Sequence, residues 1–196
     1  SFLIKADLLN EKDVLSLIPR VSKLVGSKIS LLVNNASIFE YDNFENATIE
    51  SWNRHINSNL KAPFFLSQYF SKQVPEASIN EAGEHIANAN IINIIDQRVK
   101  KPTPEFITYS LAKMALMSLT ITSSQSLSPK IRVNAIGPGP TLQGKRQSDE
   151  HYIAQRKSTI LMRGSSPNEI SKTIKYFLDS PGVTGQLICV DGGQHL

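Results

Sequence analysis

Residues 90–139 read NIINIIDQRVKKPTPEFITYSLAKMALMSLTITSSQSLSPKIRVNAIGPG. A branched apolar run at 90–95 predicts a strand, 106 to about 128 predicts a helix, and 131–136 predicts a second strand opened by the break at Pro129. Gly137, Pro138, Gly139 and Pro140 then predict a loop. Short apolar runs alternating with longer stretches of helical period are the pattern of a parallel sheet wrapped by helices.

The alternation continues in both directions. Towards the N-terminus, residues 2–6 predict a strand and 13–25 a helix with Val14, Leu17, Ile18, Val21 and Val25 on one side. Residues 29–33 predict a strand whose Leu31, Leu32 and Val33 fit the continuous apolar run of a strand buried on both faces. A long helix spans 48 to about 71, interrupted or bent near Pro63, because proline lacks the helix donor and crowds the preceding turn. The polar stretch 72–90 reads as the end of that helix and an exposed loop. Towards the C-terminus, 149–157 and 167–178 predict helices, the second with Ser166 as N-cap and Pro167 at its first position, and 186–190 the last strand. The fold class is α/β, a doubly wound parallel sheet, and residues 1–196 suffice for one domain with one sizeable core.

Composition narrows the functional classes. The chain is 40% hydrophobic and 19% charged, and no apolar run approaches the roughly 18 residues of a membrane span, so a soluble protein is expected. Its start shows no basic leader with a small-residue cleavage site, which makes the cytoplasm the expected compartment. The single cysteine, Cys189, sits among Leu187, Ile188 and Val190 and reads as a core residue, without a disulfide or a thiolate metal site. The net charge of +4 is spread over residues such as Lys100, Lys101, Lys145, Arg146, Arg156 and Lys157. With no basic stripe and no interleaved aromatic platforms, it suits an anionic cofactor or substrate and not nucleic acid. His55, His85, His151 and His195 show no ligand spacing, so no metal is expected.

Chemistry concentrates at a few positions. Tyr109 and Lys113 are four residues apart on a predicted helix, hence on one face. A cation about 4 Å from a phenol, at an effective dielectric near 20, favours the phenolate by about 4 kcal/mol, roughly three pKa units. Such a tyrosine could pass a proton in either direction near neutral pH. Asn34, Asn35, Ala36 and Ser37 follow one predicted strand, and Pro138 and Gly139 follow another. The carboxyl ends of strands are where open α/β sheets bind ligands, and small residues let a flat ligand approach the backbone.

In order and spacing these motifs resemble the short-chain dehydrogenase/reductase family over nearly the whole chain. Asn34–Ser37 is similar to its Asn-Asn-Ala-Gly element, with Ser37 replacing glycine; Asn59 to its helix asparagine; and Tyr109 to Lys113 to its Tyr-x-x-x-Lys. Pro138 with Gly139 is similar to its Pro-Gly, and Val190, Asp191, Gly192 and Gly193 to its C-terminal strand and turn. The resemblance implies hydride exchange with a nicotinamide. Tyr109 would exchange the proton, Lys113 would hold the ribose and lower the tyrosine pKa, and Asn59 would anchor a proton relay. Asp7, with Leu8, would stand beside the adenine. Asn35, Ala36, Ser37, Pro138, Gly139 and Thr141 would line the cofactor, while Asn34 would tie strands together. Residues 141–164 would form the substrate lid, with Tyr152 and Met162 able to meet substrate or to pack within the lid. A homo-oligomer, dimer or tetramer, is implied as well.

Two departures follow. Where the family carries serine, thirteen residues before the tyrosine, stands Asp96. A serine hydroxyl donates to a carbonyl in any ionisation state, whereas a carboxylate only accepts and opposes phenolate formation nearby. Asp96 in that position resembles pteridine and dihydromonapterin reductases. This implies NADP(H) in preference to NAD(H) and a substrate ring bearing N–H groups, such as a pterin or dihydrofolate. The second departure is at the front, where no glycine-rich strand–turn–helix unit is found and residue 1 enters at the third strand of the family pattern. The expected sheet lacks two strands, which would isolate the strand at 2–6. A fragment, a shortened gene or a second chain completing the sheet would each explain this. A catalytically silent relic serving as an oligomerisation or binding module is the alternative to an enzyme.

Overall fold

The computed structural model describes residues 1–144 and 147–196; Lys145 and Arg146, two of the scattered cations, lie outside the described residues. In chain order the elements are α1 (Glu11–Val25), β1 (Leu31–Asn34), α2 (Ile49–Ile56), α3 (Ala62–Gln73), β2 (Ser78–Ile79), β3 (His85–Ile86), β4 (Ala89–Ile94), α4 (Ile107–Leu127), β5 (Ile131–Pro138), α5 (Asp149–Lys157), α6 (Pro167–Asp179) and β6 (Leu187–Val190). Four strands pair in parallel in the order β1-β4-β5-β6.

Alternation along β4 explains the double winding. Ile91 points to a core shared with Val14 and Ile18 of α1 and Leu66 and Phe70 of α3. Its neighbours Ile92 and Ile94 face the other way, onto Phe177 of α6. Burying each such side chain is worth about 1.5–3 kcal/mol, so a one-residue slip of β4 would exchange both faces at once. Helix ends follow their local chemistry. The Asn10 side chain caps α1, which stops at Gly26 in the left-handed conformation, and Ser166 caps α6 with Pro167 behind it, as expected.

Three expectations are corrected and one, the interruption near Pro63, is given its form. Residues 2–6 are not a strand: Ile4 and Ala6 turn inward while Phe2, Leu3 and Lys5 are exposed, so the alternation is there but no described strand pairs with it. Between this segment and β1 lies an apolar groove of about 570 Å³, lined by Ile4, Ala6, Leu17, Val21, Leu32 and Val33 among others. The break in the long helix is a π turn, Asn57–Lys61, ahead of Pro63. Proline offers no N–H to the α ladder, and the chain answers with a wider turn in which the Ala62 N–H bonds the Asn57 carbonyl. The polar stretch is not all loop, since β2 and β3 make a small antiparallel hairpin. β5 runs on through Pro138, where it pairs with Val190. Among the described residues no helix is long and apolar enough to cross a membrane.

Candidate active site

Three side chains meet at the carboxyl end of β4. The Tyr109 hydroxyl donates to Asp96 Oδ2 at 2.7 Å, and Lys113 Nζ donates to the Ile94 carbonyl at 2.9 Å. The Arg98 backbone N–H donates to Asp96 Oδ1 at 2.9 Å, so both carboxylate oxygens are engaged. Tyr109 and Lys113 are 5% and 2% exposed. The helical spacing brings the pair together, but Lys113 Nζ sits 5.7 Å from the centre of the tyrosine ring, with its hydrogen bond going to backbone.

This geometry corrects the expected electrostatics. The phenol pKa is pushed well above its ordinary value, by burial first, then by the charge of Asp96 and the hydrogen bond to it; Arg98 pulls weakly the other way. Burial lowers Lys113 to about 8, against the attraction of Asp96. At neutral pH the site therefore holds a protonated phenol beside an ammonium, a proton donor in place of the poised phenolate.

Asn59 is buried in the π turn and uses both ends of its amide on one residue. Its Oδ1 accepts from Ile38 N at 2.9 Å and its Nδ2 donates to Ile38 O at 2.8 Å. It thereby pins the loop after β1, whose Phe39 meets Tyr109 edge-on with ring centres 4.7 Å apart.

Sequence reading missed a second buried constellation behind the tyrosine. Asp42 accepts the Thr108 N–H at 3.2 Å, the Thr108 hydroxyl, and the Ser51 hydroxyl at 3.1 Å. His55 Nδ1 lies 2.7 Å from Thr108 Oγ1, and its Nε2 accepts the Glu40 N–H at 3.2 Å. Because Nε2 accepts, the ring is neutral with Nδ1–H donating. Burial lowers its pKa, with Asp42 and Glu40 opposing. These contacts hold the first turn of α4, and with it Tyr109. Thr108 directly precedes the tyrosine, but nothing in the spacing of 42, 55 and 108 announces a cluster.

The remaining expected residues divide. Asn34 ties strands, its Nδ2 donating to Asn93 Oδ1 at 2.8 Å. Asn35, Ala36 and Ser37 lie exposed just past the carboxyl end of β1, open to a ligand. Asp7 holds a turn by accepting the Leu9 N–H at 2.9 Å, with Leu8 half-buried next to it. Gly139 is required by packing: a Cβ there would come within 2.6 Å of the Asp191 backbone, so its bareness serves the fold before any ligand. The Thr141 hydroxyl donates to Gly139 O at 3.0 Å. In the lid region, Arg156 Nη1 bonds Pro140 O at 2.7 Å and Ser165 O at 2.8 Å, and Tyr152 donates to Thr141 O, so Tyr152 packs within the lid; Met162 is exposed. Cys189, Asp191 and His195 bring one potential ligand atom each within 4.8 Å of the others. Asp191 there accepts N–H bonds from Gly193 and from the His195 backbone, with His195 Nδ1 at 2.7 Å, and so locks the final turn.

The family model described as enoyl-(acyl carrier protein) reductase matches residues 1–195. Pteridine reductase 1 of Leishmania tarentolae is 32% identical over 177 residues, 88% of this chain and 54% of that protein. Dihydromonapterin reductase of Klebsiella pneumoniae is 32% identical over 145 residues, 74% of this chain and 57% of that protein. The chain thus spans only a little over half the length of these two relatives. The solved structure of FolM alternative dihydrofolate reductase 1 from Brucella suis, in complex with NADP, superposes with a TM-score of 0.88 at 41% identity, covering 98% of this chain and 73% of that one. With the buried Tyr109 and Lys113 and the partly buried Asp96 at the carboxyl edge of a doubly wound sheet, the chain belongs to the short-chain dehydrogenase/reductase family of NAD(P)-dependent oxidoreductases.

Proposed function

We propose that the protein is an NADP(H)-dependent reductase of a pterin or dihydrofolate-like ring, with Tyr109 delivering the proton and Asp96 orienting it. The carrying observation is the 2.7 Å hydrogen bond from Tyr109 to Asp96. A carboxylate in this place offers nothing to a ketone oxygen, whereas each of its oxygens can take a further N–H from a ring amide or amine. The names of the relatives and of the FolM structure, and the NADP in that structure, support the same choice.

Bound NADPH would supply a hydride. Lys113 and Tyr109 would hold its ribose, and Asn35, Ala36, Ser37, Pro138, Gly139 and Thr141 would line it. Residues 35–37 are exposed and lead through Phe39 to the Tyr109 ring, an arrangement that fits a flat ligand beside the tyrosine. The net charge of +4 favours its phosphates. Burial and Asp96 keep Tyr109 protonated, which suits donation to a ring nitrogen. The Lys113 ammonium, beside the ring, offsets the charge left on the oxygen.

The purified protein is expected to oxidise NADPH when given dihydrobiopterin or dihydrofolate. Turnover of a simple ketone with neither pteridine reduced would sink the assignment. Tyr109→Phe should lower kcat by about 10²–10⁴-fold, the usual contribution of a positioned acid, while NADPH binding measured by fluorescence persists.

A further inference from the structure

Three donor side chains of different chemistry gather at the end of β6. Cys189 lies within that strand, where it pairs with Gly137, and Asp191 is the first residue past it. A spacing of two along an extended chain sets both side chains on one face. The chain then turns through Gly192 and Gly193, at φ +67° and +82°, left-handed values that glycine adopts without a Cβ penalty. The turn carries His195 back to Asp191, so that the imidazole Nδ1 stands 2.7 Å from Asp191 Oδ2. One sulfur, one carboxylate oxygen and one ring nitrogen thereby lie within 4.8 Å of one another. Asp191 is buried and held by the backbone N–H groups of Gly193 at 3.0 Å and His195 at 2.9 Å, whereas Cys189 and His195 are only partly covered. The set joins a fixed carboxylate to two donors from residues that reach the surface.

We propose that Cys189, Asp191 and His195 bind a divalent cation of the zinc class, and that the ion fastens the last turn to β6. Thiolate, imidazole and carboxylate together are a donor set such ions favour, while magnesium and calcium take oxygen. With bonds of about 2.0–2.3 Å, the donors of a tetrahedral zinc stand about 3.3–3.6 Å apart. Closing the trio on an ion therefore asks the His195–Asp191 pair to open by about 0.6 Å and the wider pairs to draw in by no more than about 1.3 Å, which side-chain rotation supplies. The ion takes the place of two protons. The thiol proton leaves to solvent, and the Nδ1 proton passes to Nε2, the ring's other neutral tautomer. Without a metal, burial and the charge of Asp191 keep the thiol protonated; with one, thiolate and carboxylate balance its two positive charges. Of the charges further off, Asp96 favours a cation here and Lys100 opposes it. The turn is itself a support. Gly192 O accepts the Leu161 N–H at 2.9 Å, and a Cβ on Gly192 would stand 2.3 Å from Arg163 O, so residues 159–163 rest directly on it.

The test titrates chelator-stripped protein with Co²⁺, a spectroscopic stand-in for Zn²⁺. The native protein should gain sulfur-to-metal charge-transfer absorption and the intense visible bands of a tetrahedral ion, saturating at equimolar metal and displaced by Zn²⁺ but not by excess Mg²⁺. Cys189→Ser should abolish the charge-transfer band. Cys189→Ser and His195→Gln, each shown to be folded by circular dichroism, should weaken Zn²⁺ binding in calorimetry by about a hundredfold or more, beyond the roughly 10–100-fold cost of losing an outer partner. Hydrogen exchange at the Leu161 amide should slow by about tenfold when Zn²⁺ is added to the native protein, and not in Cys189→Ser. No saturable Co²⁺ binding, or Zn²⁺ affinity unchanged in either variant, overturns the site. Displacement by Mg²⁺ overturns the class of ion, and unchanged Leu161 exchange in the zinc-loaded native protein overturns the fastening.

Discussion

Asp96 brings a negative charge within hydrogen-bond reach of the phenol that must part with a proton, and the phenol pKa rises in response. Replacing it with asparagine keeps a hydrogen-bond acceptor and removes the charge. In Asp96→Asn the ionisation of Tyr109 should move to lower pH, seen as the tyrosinate absorbance that disappears in the Asp96→Asn/Tyr109→Phe double variant. An unmoved or upward shift would show that burial alone sets the phenol. Lys113 gives a second pH signature. Its folded pKa of about 8 lies below the ordinary 10.5, so between these values the unfolded chain binds the proton more tightly and folding releases it. Stability should therefore rise with pH from about 8 to 10, by an amount on the order of 3 kcal/mol at most, before ionisation of Tyr109 reverses the trend. Lys113→Met should flatten that slope in urea titrations across the window. Tyr109, Lys113 and Asp96 could be read from sequence because two fixed offsets, four and thirteen residues, carry them. The direction of the phenol shift could not, since it depends on burial and on Lys113 bonding the Ile94 carbonyl.

Two elements position the site, and their contributions separate. The π turn delivers Asn59 to Ile38, while the loop at Asp42 delivers the start of α4. Asn59→Ala should cost about 1–3 kcal/mol for the two hydrogen bonds lost and loosen the segment after β1, raising KM for NADPH more than it lowers kcat. Asn59→Asp should fail to rescue it, because a carboxylate cannot donate to the Ile38 carbonyl. Asp42→Ala strands the Thr108 N–H and two hydroxyls; a loss of about 2–4 kcal/mol in denaturant midpoint experiments is expected, with kcat falling as Tyr109 loses its fixed first turn. Pro63 announced an interruption in the helix but not its kind, since a kink and a widened turn answer a missing donor equally well. Asp42, His55 and Thr108 lie on three separate elements, and only the fold shows that they meet.

β1 and β6 are the edge strands of the sheet, α6 packs on a face of β5 and β6, and β1 runs along an open apolar groove. The sheet's parallel pairing and two-faced core were legible because Leu31–Val33 is continuously apolar and Ile91–Ile95 is apolar but for Asn93. Whether residues 2–6 form a strand was not, because pairing belongs to two segments and the pattern of one cannot supply the other. An environment-sensitive apolar dye should bind the groove, and the Leu24→Glu/Val25→Glu pair, on its half-exposed rim, should cut that fluorescence several-fold without lowering the melting temperature. The π turn joins two differently anchored halves of one long helix, since α3 packs on α1 while α2 packs on α4. A wide turn of this kind holds one residue more than a regular helix needs. Deleting Ser58 would let the helix run straight, at the cost of rotating α2 by about 100° relative to α3. A single codon thus stands between a helix that merely spans the protein and one that aims Asn59.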